Sequence, residues 1–139
     1  MPTIHPLGVH SFILKIPDID TVGFFMHCSG LELTFDVYEY QEGGNNDFVH
    51  RLPGALRYPN LVLSRGLTRE DTLLKWFWAT HNGAERKEIT LTLQAGDADR
   101  SWTFADAFPV RWTGPQIDAD GSSIATETLE IAHTGLKLT

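Results

Sequence analysis

Between Leu31 and Tyr40 the chain alternates with period two. Leu31, Leu33, Phe35 and Val37 fall on one side of an extended backbone, and Glu32, Thr34, Asp36, Tyr38 and Tyr40 on the other. A helix would scatter these residues around its circumference, so the segment is expected to be a half-buried antiparallel strand. The same pattern recurs. Val9 to Ile16 places Phe12, Leu14 and Ile16 on one face before Pro17-Asp18 stops it, and Glu88 to Leu93 turns Ile89, Leu91 and Leu93 inward. Leu61 to Leu63, Ser101 to Phe104, Ala107 to Trp112 and Ile124 to Ala132 are further candidates, with a hairpin turn at Gly96-Asp97-Ala98-Asp99. The count is about seven strands, closely spaced.

A single segment has the other period. Thr68-Arg69-Glu70-Asp71 carries a capping threonine and two acids for the positive end of a helix dipole, and Thr72 to Thr80 forms the body. Leu73 and Phe77, like Leu74 and Trp78, pair at i, i+4, while Trp76 lies on another stripe, and Asn82-Gly83 ends the run. One flanking α-helix over about residues 69–81 is expected on a mainly β fold, a β-barrel or β-sandwich. With 139 residues the chain has room for a single domain, residues 1–139.

A long arm over about residues 39–58 interrupts the strands. Its tip, Gln41 to Asn46, combines Gly43-Gly44 with Asn45-Asn46, residues that take left-handed turns at little cost. Asp47 to Pro59 holds two prolines and Gly54, and reads as extended and irregular. Connectors of this length inside compact domains usually carry function.

Chemistry is harder to find. The histidines stand at 5, 10, 27, 50, 81 and 133, none paired at the helical i, i+4 spacing of a metal site. Asp118-Ala119-Asp120-Gly121 lacks the remaining ligands of a calcium loop, and no Gly-x-Ser-x-Gly, Gly-x-Gly-x-x-Gly or P-loop pattern occurs. Cys28 lies between His27 and Ser29-Gly30 without a recognisable third partner, and reads as a small core residue. No catalytic residue, metal or cofactor is expected. Eighteen acidic side chains against eleven basic ones give a net charge of −7, with the cations scattered, which argues against nucleic-acid binding. Met1-Pro2-Thr3-Ile4-His5 does not start a secretory signal, no apolar run is long enough for a membrane span, and a lone cysteine suits a reducing compartment.

Two stretches carry a resemblance. The first runs from Glu39-Tyr40-Gln41-Glu42-Gly43-Gly44-Asn45-Asn46 through Leu52-Pro53-Gly54 to Tyr58-Pro59-Asn60-Leu61 and Arg65-Gly66-Leu67-Thr68. The second is Phe108-Pro109-Val110-Arg111-Trp112-Thr113-Gly114-Pro115, followed by Ala125 to Leu136. In this order and spacing, with Phe12 to Leu31 before them, they resemble the tail tube protein family of contractile-tailed phages, which extends to the inner tubes of related contractile injection systems. Cys28 departs from the small or aliphatic residue expected there.

The resemblance implies a non-enzymatic structural subunit, assembled in a bacterial cytoplasm into a virion tail or tail-like particle. Six copies would close a ring, and rings would stack into a hollow tube conducting DNA or a protein effector. Sheath subunits would surround the tube, with a baseplate and spike at its end. The arm is the expected contact between rings, through Glu39, Tyr40, Glu42, Gly43, Gly44, Asn45 and Asn46 near its tip and Leu52, Pro53, Leu56 and Tyr58 as apolar anchors. A conducting lumen should lack a positive lining, which makes Glu32, Asp36, Asp97 and Asp99 its candidates. The competing expectation is a secreted β-sandwich module that binds carbohydrate or protein on Trp76, Trp102 or Trp112. A hydrolase built on Ser29 and His27 would need an acidic partner that the sequence does not identify.

Overall fold

The computed structural model describes residues 11–17, 20–44, 48–67, 71–83, 86–95, 98–115 and 125–138. Among them, ten strands and one helix follow in the order β1 (Ser11–Ile16), β2 (Asp20–Phe25), β3 (His27–Ser29), β4 (Thr34–Tyr40), β5 (His50–Arg57), β6 (Leu61–Gly66), α1 (Thr72–His81), β7 (Lys87–Ala95), β8 (Ala98–Thr113), β9 (Thr126–Ala132) and β10 (Leu136–Leu138). The fold is mainly β with one helix, as expected.

Two antiparallel sheets result. The larger has the order β2-β1-β7-β8-β9-β6-β3, with β10 on β8, and the smaller is the pair β4-β5. The end strands β2 and β3 are successive pieces of chain separated by Met26, whose amide donates to the Ser64 carbonyl at 2.9 Å. The large sheet therefore curls until its two ends share one stretch of backbone, which is the barrel-like form expected of the body.

Sixteen residues long, β8 runs through both halves of this curl and unites the two candidates at 101–104 and 107–112. Residues 98–107 pair with β7 and 108–113 with β9. Just before the changeover Asp106 takes a positive φ of 50°, a conformation that aspartate tolerates better than most residues. Thr134 closes the corner: its amide bonds the Ala105 carbonyl at 2.9 Å and its hydroxyl donates to Asp106 Oδ2 at 3.1 Å.

Period-two sequence fills the core. Leu14 and Ile16 of β1, Leu61 and Leu63 of β6, Ile89 and Leu91 of β7, and Leu129 and Ile131 of β9 are buried together, with Phe25, Phe104 and Ala107. Each leucine or isoleucine so buried contributes about 1.5–3 kcal/mol. The helix closes this core with Leu73 and Trp76, while Trp78 stays exposed. It begins at Thr72, capped by Asp71 without a side-chain bond; Thr68, Arg69 and Glu70 lie outside the described residues. Its end falls where expected, with Gly83 at φ +96° and Asn82 N–H bonded to the Trp78 carbonyl.

Among the described residues one ion pair is buried. Arg65 and Glu127 face each other across β6 and β9, 2.6 Å apart and almost fully buried. Trp112 Nε1 donates to the second carboxylate oxygen at 3.0 Å, and the guanidinium lies 5.7 Å from the Phe25 ring centroid. Removing one member of such a pair leaves a charge in the core, at a cost of about 3–5 kcal/mol.

Candidate functional site

The arm is where sequence and structure part company. It is not irregular: β4 and β5 form a hairpin, with Phe35 opposite Leu56, Val37 opposite Pro53, Tyr38 opposite Leu52 and Tyr40 opposite His50. Pro53 and Gly54 look like breakers in sequence, but β5 pairs only with β4, and a strand with a free edge can place a proline there. The register slips between Phe35 and Val37, and a Cβ on Gly54 would come within 2.9 Å of the Asp36 carbonyl oxygen. Glycine thus permits the bulge that keeps the strands paired.

Nor is the strand half-buried. Leu31 is 38% exposed, Leu33 52%, Phe35 57% and Val37 52%. Fifteen large hydrophobic side chains are exposed among the described residues, and ten of them lie between 31 and 56, so the exposure is a property of the arm. Alternation and register assign them to two faces. Phe35, Val37, Pro53 and Leu56 share one, and Tyr38, Tyr40, Leu52 and His50 the other. Each face is thus an apolar patch with a charged flank. A soluble monomer rarely exposes so much contiguous apolar surface.

Polar side-chain contacts cross the hairpin along its length. Arg57 Nε donates to Asp36 Oδ2 at 2.7 Å, Arg51 lies 3.9 Å from Glu39, and His50 Nε2 lies 3.3 Å from Glu42, with the Phe48 ring edge-on to His50 at 4.8 Å. Gly43 and Gly44 form the turn, Gly44 with φ +88°, while Asn45, Asn46 and Asp47 lie outside the described residues.

At its base the arm is tied to the body. Tyr58 stacks on His133 at 4.9 Å, and Phe104 meets the same imidazole edge-on at 4.9 Å. His133 is buried and its Nδ1 accepts the Gly135 amide, while burial pushes its pKa below the ordinary value against smaller upward contributions from the Pro59 and Gly135 backbones. A cleft of about 410 Å³ opens beside this joint, lined by Leu33 and Leu56 of the arm and by Thr103, Ala105, Leu136 and Lys137 of the body.

The described lumen candidates stand on different segments of the chain. Glu32 precedes β4 and is exposed, Asp36 is engaged by Arg57 on the arm, Asp99 is exposed near the start of β8, and Asp97 lies outside the described residues. Of the tryptophans expected to form a binding platform, Trp76 is buried, and Trp102 and Trp112 are partly buried and pack against the core. His27 and Ser29 are exposed on β3, and burial pushes the half-buried Cys28 thiol up to about 11, which keeps it protonated. No group of three or more potential metal ligands occurs among the described residues, and no described helix is long and apolar enough to cross a membrane.

The arm is thus a hairpin with apolar side chains exposed on both faces. The family model for the T4-like virus tail tube protein gp19 matches residues 9–137. The chain belongs to that tail tube family. No curated protein matches it. Among solved structures, this tail tube protein resembles a chain of the anti-feeding prophage cap, its tube terminating cap, at 28% identity and a TM-score of 0.81, over 100% of this chain and 94% of that one. It also resembles a chain of the sheath/tube terminator of the extracellular contractile injection system PVC in the extended state, at 26% identity and a TM-score of 0.81, over 99% of both chains. Hcp1 from Flavobacterium johnsoniae shares the fold at 17% identity and a TM-score of 0.54, over 93% and 94%. The chain is therefore a structural component of a phage tail or tail-like injection particle.

Proposed function

We propose that this tail tube protein is the inner tube subunit, closing into six-membered rings that stack into a hollow tube, and that the arm makes the contact between rings. The observation that carries this is the arm itself, with apolar side chains exposed on both faces of a hairpin that has no core of its own. Side chains placed like Phe35, Leu52 and Leu56 require a cover, and the described residues of the subunit leave them exposed. The unpaired edges of β4 and β5 add backbone groups able to bond a neighbour.

In that tube the lumen conducts DNA or a protein effector, the sheath surrounds the outer wall, and baseplate and spike meet one end. Glu32 and Asp99 are the better of the described lumen candidates, because Arg57 already neutralises Asp36. Assembly takes place in the bacterial cytoplasm, and the subunit catalyses nothing.

Sedimentation velocity of the purified chain at rising protein concentration tests the ring. The expected outcome is a discrete species at the mass of six chains, with larger stacked species above it; a chain that stays monomeric throughout overturns the proposal.

A further inference from the structure

The two strands of the arm carry opposite charge. From Leu31 to Gly44, covering β4 and its flanks, there are four acidic residues, Glu32, Asp36, Glu39 and Glu42, and no basic ones. From Phe48 to Tyr58, covering β5, there are Arg51 and Arg57 and no acidic residues; Asp47, between the two stretches, lies outside the described residues. The two arginine pairs described across the hairpin repeat this sense, with Asp36 and Glu39 on β4 and Arg57 and Arg51 on β5. The arm is therefore polarised across its width, negative along one free edge and positive along the other.

Within the arm the pairing leaves much of this charge open to solvent. The side chains of Arg51 and Arg57 remain 67% and 70% exposed, and that of Glu39 64%. The polarity also discriminates between two ways of joining copies. A two-fold contact between like edges would set acid against acid or base against base. A head-to-tail contact sets the acidic edge of one arm beside the basic edge of the next, and it is the heterologous kind of contact from which rings are built.

We propose that neighbouring copies of this chain join arm to arm, head to tail, with the acidic β4 side of one arm against the basic β5 side of the next. The inference rests on the tube-subunit reading and specifies its partner and polarity: the arms of one ring form a belt, and that belt meets the next ring. Pro53 has no amide to donate, so the contact relies on side-chain charge and the flanking apolar residues more than on an unbroken backbone ladder.

Reversing the polarity tests this. A chain carrying Asp36→Arg, Glu39→Arg, Glu42→Lys, His50→Glu, Arg51→Glu and Arg57→Glu keeps each pair within the arm but exchanges its edges. It should assemble with itself, yet be excluded from wild-type assemblies. Wild-type and swapped chains with different tags are co-expressed, captured on one tag and quantified by mass spectrometry. Because mixing brings like charges together, mixed capture should fall at least ~10-fold below that of two tagged wild-type chains.

Equal mixing overturns the proposal, as does a folded swapped chain that cannot assemble with itself. If the swapped chain does not fold, a second pair decides. A chain reversed only in β4 (Asp36→Lys, Glu39→Lys, Glu42→Lys) and one reversed only in β5 (His50→Glu, Arg51→Glu, Arg57→Glu) should each fail to assemble alone and assemble when co-expressed; assembly of either alone at the wild-type level overturns it. Failure of the two wild-type chains to capture one another would instead overturn the tube reading beneath it.

Discussion

Strands β4 and β6 read alike as sequence and behave in opposite ways. Both alternate, but in β6 Leu61, Leu63 and Arg65 are buried, whereas in β4 Phe35, Val37, Tyr38 and Tyr40 are all about half or more exposed. The difference lies in what stands opposite. β6 is flanked by β9 and β3 over a core closed by the helix, while β4 has β5 alone. Period-two hydrophobicity shows that a face is to be covered, and is silent on whether the same chain covers it.

The largest separation between body and arm should appear in folding stability. Trp76→Ala or Glu127→Ala, in the body, should each cost about 3–5 kcal/mol, the first by opening a cavity and the second by stranding Arg65. Phe35→Ala and Leu52→Ala, both half exposed on the arm, should stay within about 0.5 kcal/mol. Urea denaturation at concentrations where the chain is dispersed would measure both, and a Leu52→Ala loss as large as that of Trp76→Ala would erase the distinction.

Glycines should divide in the same way, less steeply. Gly30 has φ +98°, and a Cβ there would lie 2.2 Å from the Asn60 carbonyl oxygen, so Gly30→Ala should cost about 1–3 kcal/mol in the same assay. At the arm tip, a Cβ on Gly43 would meet nothing within 4 Å, and the Gly43→Ala variant should melt like the wild type.

The smallest effect belongs to the joint. Because the folded pKa of His133 is lowered, the unfolded chain takes up a proton first as pH falls. Stability from this residue is complete above about pH 6.5 and declines as pH drops from there through the lowered folded value. Melting curves from pH 7.5 to 5 should show the decline, and His133→Phe should flatten it; an unchanged slope would remove His133 as its cause.

Much of the body could be read from residues alone, because its strands are covered within the chain. The inward positions of Leu14, Ile89 and Leu91 follow from alternation, and the helix end from Asn82-Gly83. Strands β2 and β3 escaped because Asp20 to Ser29 shows no alternation, and β10 because three residues carry too little pattern. The hairpin escaped for another reason. Pro53 and Gly54 act as breakers by local propensity, and a bulge on a strand with a free edge overrides that propensity. The turn at Gly43-Gly44 was visible in its residues, but the hairpin starts at Thr34, before the expected arm of about residues 39–58, and Tyr58 packs on His133, a partner 75 positions away that no local pattern indicates.

If the arm assembles the tube and contributes little to the subunit's own fold, the two roles separate in one experiment. Negative-stain microscopy of Leu52→Asp/Leu56→Asp beside the wild type, each checked for an unchanged melting transition, tests this most directly. Stacked tubes are expected for the wild type and none for the variant; normal tubes from a variant that carries two aspartates on the arm would contradict the arm's role in assembly.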